Sequence, residues 1–187
     1  MTDSEILDLF HSPTGREKAF KLLVEKYQQK VYWHIRRIVL EHEHANDVMQ
    51  NTFVKVWKGL ENFRAESQLF IWMYRIATNE ALNFLNTHKK HQHISFDGPE
   101  DDDETSYSPS NYIKAETENI DSEKLLSRLK AAIESLPEKQ RIVFNLRYYD
   151  EMPYEQMSEV LNTSVGALKA SYFHAAQKIE KFLLAAD

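Results

Sequence analysis

The chain has 187 residues, with 23 Lys and Arg against 29 Asp and Glu, a formal net charge of −6 and no cysteine. That length accommodates one or two domains, each able to bury its own core. The missing cysteines exclude disulfides and thiolate metal sites and fit a reducing, cytoplasmic setting. Glycine is scarce at 4 and proline at 5, and Leu, Ala, Glu and Lys dominate, which points to an all-α protein. The start, MTDSEILDLF, has neither a basic opening nor a long apolar run, so no signal peptide is expected. No stretch approaches the ~20 apolar residues of a membrane span, and no membrane insertion is expected.

The first helical pattern is GREKAFKLLVEKYQQKVYWHIRRIVL. Phe20, Leu23, Val24, Tyr27, Val31, Ile35 and Ile38 recur at helical spacing. HANDVMQNTFVKVWKGLENF repeats it, with Met49, Phe53, Val56, Trp57 and Leu60 on one arc. At about 100° per residue the other flank of this helix carries Asp47, Gln50, Asn51, Val54 and Lys58 as a continuous stripe. Such a stripe is ordinarily a solvated face; the valine within it hints at a contact surface.

The loop ENFRAESQ follows, with Ser67 as the expected cap and with Phe63 and Arg64 near the helix start. The next helix, SQLFIWMYRIATNEALNFLNTHKK, places Leu69, Phe70, Met73, Ile76, Ala77 and Phe84 on an apolar arc. Trp72, Arg75, Asn79, Asn83, Asn86 and Lys90 form a separate stripe. Two readings of it stand side by side. Trp72 is either half-buried against a neighbouring helix, or part of a nucleic-acid surface. In the second case cations engage phosphates, amides read base edges, and the aromatic stacks on an unpaired base for ~1–3 kcal/mol.

Charge then divides the chain. Residues 1–90 carry a net +2, residues 91–123 a net −9 and residues 124–187 a net +1. The acidic stretch FDGPEDDDETSYSPSNYIKAETEN lacks apolar periodicity and repels itself, so residues 93–121 are expected to form a flexible linker between two helical domains, 1–92 and 122–187. Charge by domain is therefore a better guide to partners than the total.

After the linker, EKLLSRLKAAIESL reads as an amphipathic helix that ends before Pro137. Pro137 opens PEKQRIVFNLRYYD and Pro153 opens PYEQMSEVL. A short break at Asn162 and Thr163 follows, Ser164 is placed to cap, and a last helix runs from Val165. Its inner positions are Leu168, Tyr172, Ala175, Ile179, Phe182 and Leu183. Its outer face carries Lys169, Ala170, Phe173, His174, Gln177 and Lys181. A helix, a tight turn and a longer helix make the helix-turn-helix geometry that sends a second helix into a major groove. Helical hairpins imitate the pattern.

Three stretches, in order, carry a family resemblance. NDVMQNTFVKVW is similar to the core-polymerase-binding helix of sigma-70 family sigma factors, commonly E-D-x-x-Q-E-T-F-x-x-V-W. FRAESQLFIWMYRIATNEALNFL is similar to their F-R-G-E-S-x-F-x-x-W-L-Y-R-I-A-x-N-x-x-x-D-x-L segment. LPEKQRIVFNLRYYDEMPYEQMSEVLNTSVGALKASYFHAAQKI resembles their fourth domain. The chain thus resembles the extracytoplasmic-function group, which keeps only the second and fourth sigma domains.

The resemblance implies a promoter-specificity subunit. It assigns Asp47, Gln50, Asn51 and Val54 to core RNA polymerase, and Phe63, Arg64, Trp72, Arg75, Asn79 and Asn83 to reading and melting the −10 element. It assigns Ser164, Gly166, Lys169, Ala170, Phe173 and His174 to the −35 element. It also implies the beta-prime clamp and beta flap of polymerase as partners, with promoter DNA and an anti-sigma factor, and a linker threading the path of the RNA.

The departures are specific. The common Q-E pair is Gln50-Asn51 here, and the arginines of the usual recognition helix, S-x-G-T-V-K-S-R-L-x-R-A-R, are absent. The last helix is therefore expected to bind phosphates weakly and to rely on Ala170, Phe173 and His174 at base edges and thymine methyls.

Against this stand a dimeric helix-turn-helix regulator with an N-terminal sensing domain, and a helical adaptor that binds no DNA. No catalytic constellation is visible, and no cofactor is expected. His42, His44, His88, His91 and His93 read as surface residues rather than metal ligands, since histidines two apart do not share a helix face.

Overall fold

The computed structural model describes residues 1–94 and 122–185, with side chains up to residue 89 in the first span. The segment expected to be a flexible linker lies outside the described residues, as do the side chains of Lys90, His91 and His93. Among the described residues eight helices follow in order: α1 (Asp3–His11), α2 (Arg16–Val39), α3 (His42–Gly59), α4 (Leu69–Ile94), α5 (Ser122–Glu134), α6 (Glu138–Tyr148), α7 (Tyr154–Leu161) and α8 (Val165–Leu184). A 3₁₀ turn, Leu60–Asn62, follows α3. There is no strand among the described residues.

Helix α1 was not anticipated from sequence. Its signal is Thr2-x-x-Glu5, a capping box in which the Glu5 N–H donates to Thr2 Oγ1 at 3.2 Å and the Thr2 N–H donates to Glu5 Oε2 at 2.7 Å. Ile6 and Phe10, four apart, are its buried face. The Tyr27 hydroxyl donates to Asp3 and ties α1 to α2; burial, then Asp3, pushes its pKa well up.

The core of residues 1–94 matches the expected arcs. Leu23, Tyr27, Val31, Ile35 and Ile38 of α2 are buried with Phe53, Val56 and Leu60 and with Leu69, Met73 and Ala77 of α4. Helix α4 starts at Leu69, so Gln68 rather than Ser67 precedes it, and the Gln68 carbonyl accepts the Trp72 N–H at 3.0 Å. In the second unit Pro137 and Pro153 stand at the caps of α6 and α7. Ser164 caps α8 by accepting the Ala167 N–H at 3.3 Å, and Asn162 makes the left-handed turn between α7 and α8 at φ 49°.

The two units close on each other. Ala132, Ile133, Leu136, Phe144, Ala175 and Ile179 form a small core belonging to the second unit alone. Ile142, Val143, Leu146, Met157, Val160 and Leu168 join the core of the first instead. Helix α4 therefore has a second buried face, Ile71, Tyr74, Thr78 and Ala81, which meets α2 and α7.

Polar groups hold the seam. Buried Arg141 of α6 donates to the Ile38 carbonyl of α2 at 3.2 Å and to the Glu134 and Leu136 carbonyls, each at 3.3 Å. Asp150, in the turn after α6, accepts from Arg37 at 3.2 Å, and its other oxygen faces Nδ1 of fully buried His34 at 3.7 Å. His34 stacks on Tyr74 and lies 2.8 Å from the Thr78 hydroxyl. That hydroxyl donates to the Tyr74 carbonyl, so the His34 Nε2–H is the donor between the two. Tyr149 lies over the Arg37 guanidinium at 4.2 Å.

Candidate nucleic-acid interface

The stripe on α3 stays in water. Asp47, Gln50, Asn51 and Val54 are all exposed, Val54 at 51%. Their spacing of three, one and three residues keeps them on one helix face. Two turns of helix bury the opposite side, with Val48, Thr52, Phe53 and Val56 fixed in the core, so the stripe is held rigidly. An acidic group, two amides and an exposed valine in one row suit a partner surface with matching donors and a small apolar spot.

Sequence placed Phe63, Arg64, Trp72 and Arg75 near one another, and in the structure they line a single open cavity of about 260 Å³ with Asn62, Glu66 and Ser67. The 3₁₀ turn swings the chain off α3, and Ala65 takes a left-handed backbone at φ 54°. A non-glycine residue there costs roughly 1–3 kcal/mol, and the turn sets Arg64 beside the start of α4. Arg64 and Arg75 are exposed, and neither forms a salt bridge among the described residues.

Phe63 is half-buried. Its ring sits 5.0 Å from the Trp72 ring. Trp72 itself joins the two readings left open by the sequence. It is partly buried, with one edge against Gly59 at the end of α3, and it also forms a wall of the cavity. Asn79 and Asn83 do not line this cavity. They continue the exposed face of α4 one and two turns beyond Arg75, about 6 and 12 Å along its axis.

A cavity flanked by two free guanidinium groups and walled by two aromatic rings can take a planar base while its backbone meets the cations. Sequence reasoning missed Asn62 and Gly59. The one signal for Gly59 was a glycine inside a helical pattern, where glycine is a weak helix former.

On α8 every expected outward residue is exposed: Ser164, Gly166, Lys169, Ala170, Phe173 and His174. Phe173 leaves 58% of its surface in water, unusual for a ring with no role in its own core. A Cβ added at Gly166 meets nothing within 4 Å, so the protein's own packing does not require this glycine. Lys169 stands over the Tyr154 ring of α7 at 5.7 Å and is thus partly steered by its own fold. The α8 amino end and its outer face form an exposed surface that Leu168, Ala175 and Ile179 anchor from below.

Among the described residues no group of three or more His, Cys, Asp or Glu side chains is arranged to hold a metal, and no helix is long and apolar enough to cross a membrane.

Comparison with known proteins gives a consistent result. A family model for sigma-70 region 2 matches residues 23–91, and one for sigma-70 region 4 matches residues 126–179. The chain is 30% identical over 188 residues to the ECF RNA polymerase sigma-E factor of Haemophilus influenzae, covering 96% of this chain and 94% of that protein. It is 32% identical over 177 residues to the RNA polymerase sigma-H factor of Pseudomonas aeruginosa, covering 90% and 88%. To the Escherichia coli K12 sigma-E factor it is 34% identical over 167 residues, covering 89% and 87%.

Among solved structures, CnrH in complex with the cytosolic domain of CnrY aligns over 99% of this chain and 100% of its own, with a TM-score of 0.68 at 19% identity. The sigma factor RpoE bound to the anti-sigma factor NepR, from Bartonella quintana, aligns over 89% and 97%, with a TM-score of 0.65 at 21% identity.

Proposed function

Because the chain belongs to the sigma-70 family of RNA polymerase sigma factors, in its extracytoplasmic-function group, it is a promoter-specificity subunit of RNA polymerase, and we propose how its residues divide that work. Residues 1–92 dock on core polymerase through Asp47, Gln50, Asn51 and Val54, against the beta-prime clamp. The same unit recognises and melts the −10 element through Phe63, Arg64, Trp72, Arg75, Asn79 and Asn83. Residues 122–187 read the −35 element through Ser164, Gly166, Lys169, Ala170, Phe173 and His174 while contacting the beta flap, and residues 93–121 join the two. The chain acts where polymerase acts, in the cytoplasm, as a binding subunit without a catalytic site of its own. An anti-sigma protein belongs to this reading, since Bartonella RpoE forms such a complex.

The observation that carries the proposal is the shared cavity. Phe63 and Arg64 from the loop and Trp72 and Arg75 from α4 converge on it, as a pocket for an extruded base requires. Run-off transcription by core polymerase with and without the chain tests the whole. Initiation from an asymmetric promoter should appear only when the chain is added. Binding to duplex DNA as a symmetric dimer, without polymerase, would overturn it.

The dock is tested by Asp47→Ala with Gln50→Ala. Both side chains point to water, so the fold should keep its thermal stability within about 0.5 kcal/mol. Capture of core polymerase should weaken by roughly 1–3 kcal/mol, the loss typical of significant interface truncations. Undiminished capture by the folded double variant removes these residues from the interface.

On α8 the base-edge and phosphate contributions should separate. Phe173→Ala should lower the preference of holoenzyme for the −35 sequence by about 1–3 kcal/mol and leave the salt dependence nearly unchanged. Lys169→Ala should weaken cognate and random duplex alike and reduce the salt slope by about 1. Titrating both variants against both duplexes at several salt concentrations reads the two signatures. Specificity that survives Phe173→Ala would move base reading elsewhere on the helix.

A further inference from the structure

Gly59 is the last residue of α3, with φ −82° and ψ −22°. That is ordinary right-handed helix backbone, open to any L-residue, so no conformational need explains a glycine there. In a helix glycine costs about 0.5–1 kcal/mol relative to alanine, so its presence calls for a different reason. The space its side chain would fill supplies one. A Cβ built at Gly59 would sit 2.8 Å from Cζ2 and 3.1 Å from Cη2 of Trp72, and beyond the chain neighbours and the backbone of its own helix no other atom comes within 4 Å of it. Both are carbons of the six-membered ring; the first approach is one that real Cβ atoms essentially never make, and the second is tighter than most. The indole therefore lies flush on bare backbone at the end of α3.

The Phe63 ring lies 5.0 Å from the indole, inclined at 47°. Phe63, Trp72, Arg64 and Arg75 all border the same cavity of about 260 Å³. With Gly59 on one side, the indole is drawn back and the cavity stays open. With a methyl group on that side, the ring has to move, and the space free of protein is the cavity itself.

We propose that Gly59 is a positioning residue for promoter melting: its missing side chain seats the Trp72 indole so that the adjoining cavity admits an unstacked base. The inference rests on the reading of that cavity as the −10 melting site. It adds a residue that touches no DNA and acts only through Trp72.

The test uses full-length chain in holoenzyme, with four variants: Gly59→Ala, Trp72→Ala, Trp72→Phe and the double variant Gly59→Ala/Trp72→Phe. Three quantities are measured: thermal unfolding, closed-complex binding at low temperature, and permanganate reactivity of thymines in the −10 element. Gly59→Ala should unfold close to the parent temperature, bind closed promoter as the parent does, and lose open complex about tenfold, the scale of one forfeited base stack. Its near-ultraviolet tryptophan spectrum should shift. The smaller phenyl ring leaves room for the methyl group, so the double variant should melt promoter no worse than Trp72→Phe alone.

Should Gly59→Ala fail to fold, recovery of folding in the double variant shows the same steric coupling, and no recovery overturns it. Undiminished melting by Gly59→Ala, or a loss that adds in full to that of Trp72→Phe, also overturns the inference. Trp72→Ala separates the two levels. If that variant melts promoter normally, the reading of the cavity fails. If it is impaired while Gly59→Ala is not, only the role of Gly59 fails.

Discussion

Replacing Arg141 by alanine is expected to lower the stability of the chain by about 2–4 kcal/mol and to loosen the two helical units from each other. Arg141 is 9% exposed, and its guanidinium donates to three backbone carbonyls, those of Ile38 at the end of α2, of Glu134 at the end of α5 and of Leu136 in the bend that follows. Those of Ile38 and Glu134 are helix C-terminal carbonyls, which lack intrahelical partners and carry the negative end of the helix dipole. Burial lowers the pKa of Arg141, and the nearby Glu138 and Glu134 charges partly offset this. The group therefore bears a real desolvation penalty, which the three charge-assisted bonds must exceed.

Removing a buried ion pair is often neutral when both partners go. Here the partners are main-chain oxygens and cannot be removed. Each carbonyl left without a donor costs about 1–3 kcal/mol where water cannot reach it. Arg141→Met should therefore recover only the packing part of the loss. For a chain of this size the expected drop in melting temperature is roughly 5–15 °C. Small-angle scattering should show a larger radius for the variant, because one of the three bonds crosses between the units. An unchanged melting temperature and radius would mean that apolar contacts of α6 and α7 hold the seam unaided.

The largest effect on activity is expected from Trp72→Ala. Stacking on an unpaired base is available only after strand separation, and it is worth ~1–3 kcal/mol. Open complex should fall between about fivefold and a hundredfold, while closed-complex binding changes little. The indole is also partly buried against Gly59 and Phe63, so some loss of stability, of about 1–2 kcal/mol, accompanies the change. Permanganate footprints taken well below the melting temperature separate the two effects. If footprints are unchanged and only the melting temperature falls, Trp72 is a packing residue, and the cavity beside it is not where the melted strand sits.

Most of the helical architecture was legible as periodicity. The arcs on α2 and α8 predicted most of their buried residues because a buried stripe repeats at 3.6 residues. On α3 only Phe53 and Val56 of the expected arc are buried within the helix, and Ala45, Val48 and Thr52 are buried off it. The caps at Pro137, Pro153 and Ser164 were legible because they depend on local chemistry. The outward stripe of α3 and the outer face of α8 were equally legible, since whatever is not turned inward is left for partners. Helix α1 was overlooked for want of length, although Thr2 and Glu5 spell its capping box.

Helix α4 shows where single-helix reasoning ends. Ile71, Tyr74, Thr78 and Ala81 lie off its apolar arc and are buried all the same, because α2 covers them on one side and α7 on another. His34 reads as a polar residue on an amphipathic helix, yet it is enclosed with Tyr74, Thr78 and Asp150. No pattern within α2 announces that, since the enclosing groups stand 40 to 116 residues away in sequence.

What the sequence determined by itself was seven of the eight helices of the described residues, many of their inner and outer faces, the division into two helical units and the family, all of which rest on local propensity, periodicity and motif order. Only the tertiary structure decided that the units share a core, that Arg141 and Asp150 fasten the seam, and that Trp72 is both packed and available. The physical reason is that burial and steric room depend on what arrives from elsewhere in the chain. A glycine is a weak helix former until the indole that needs its space is in place.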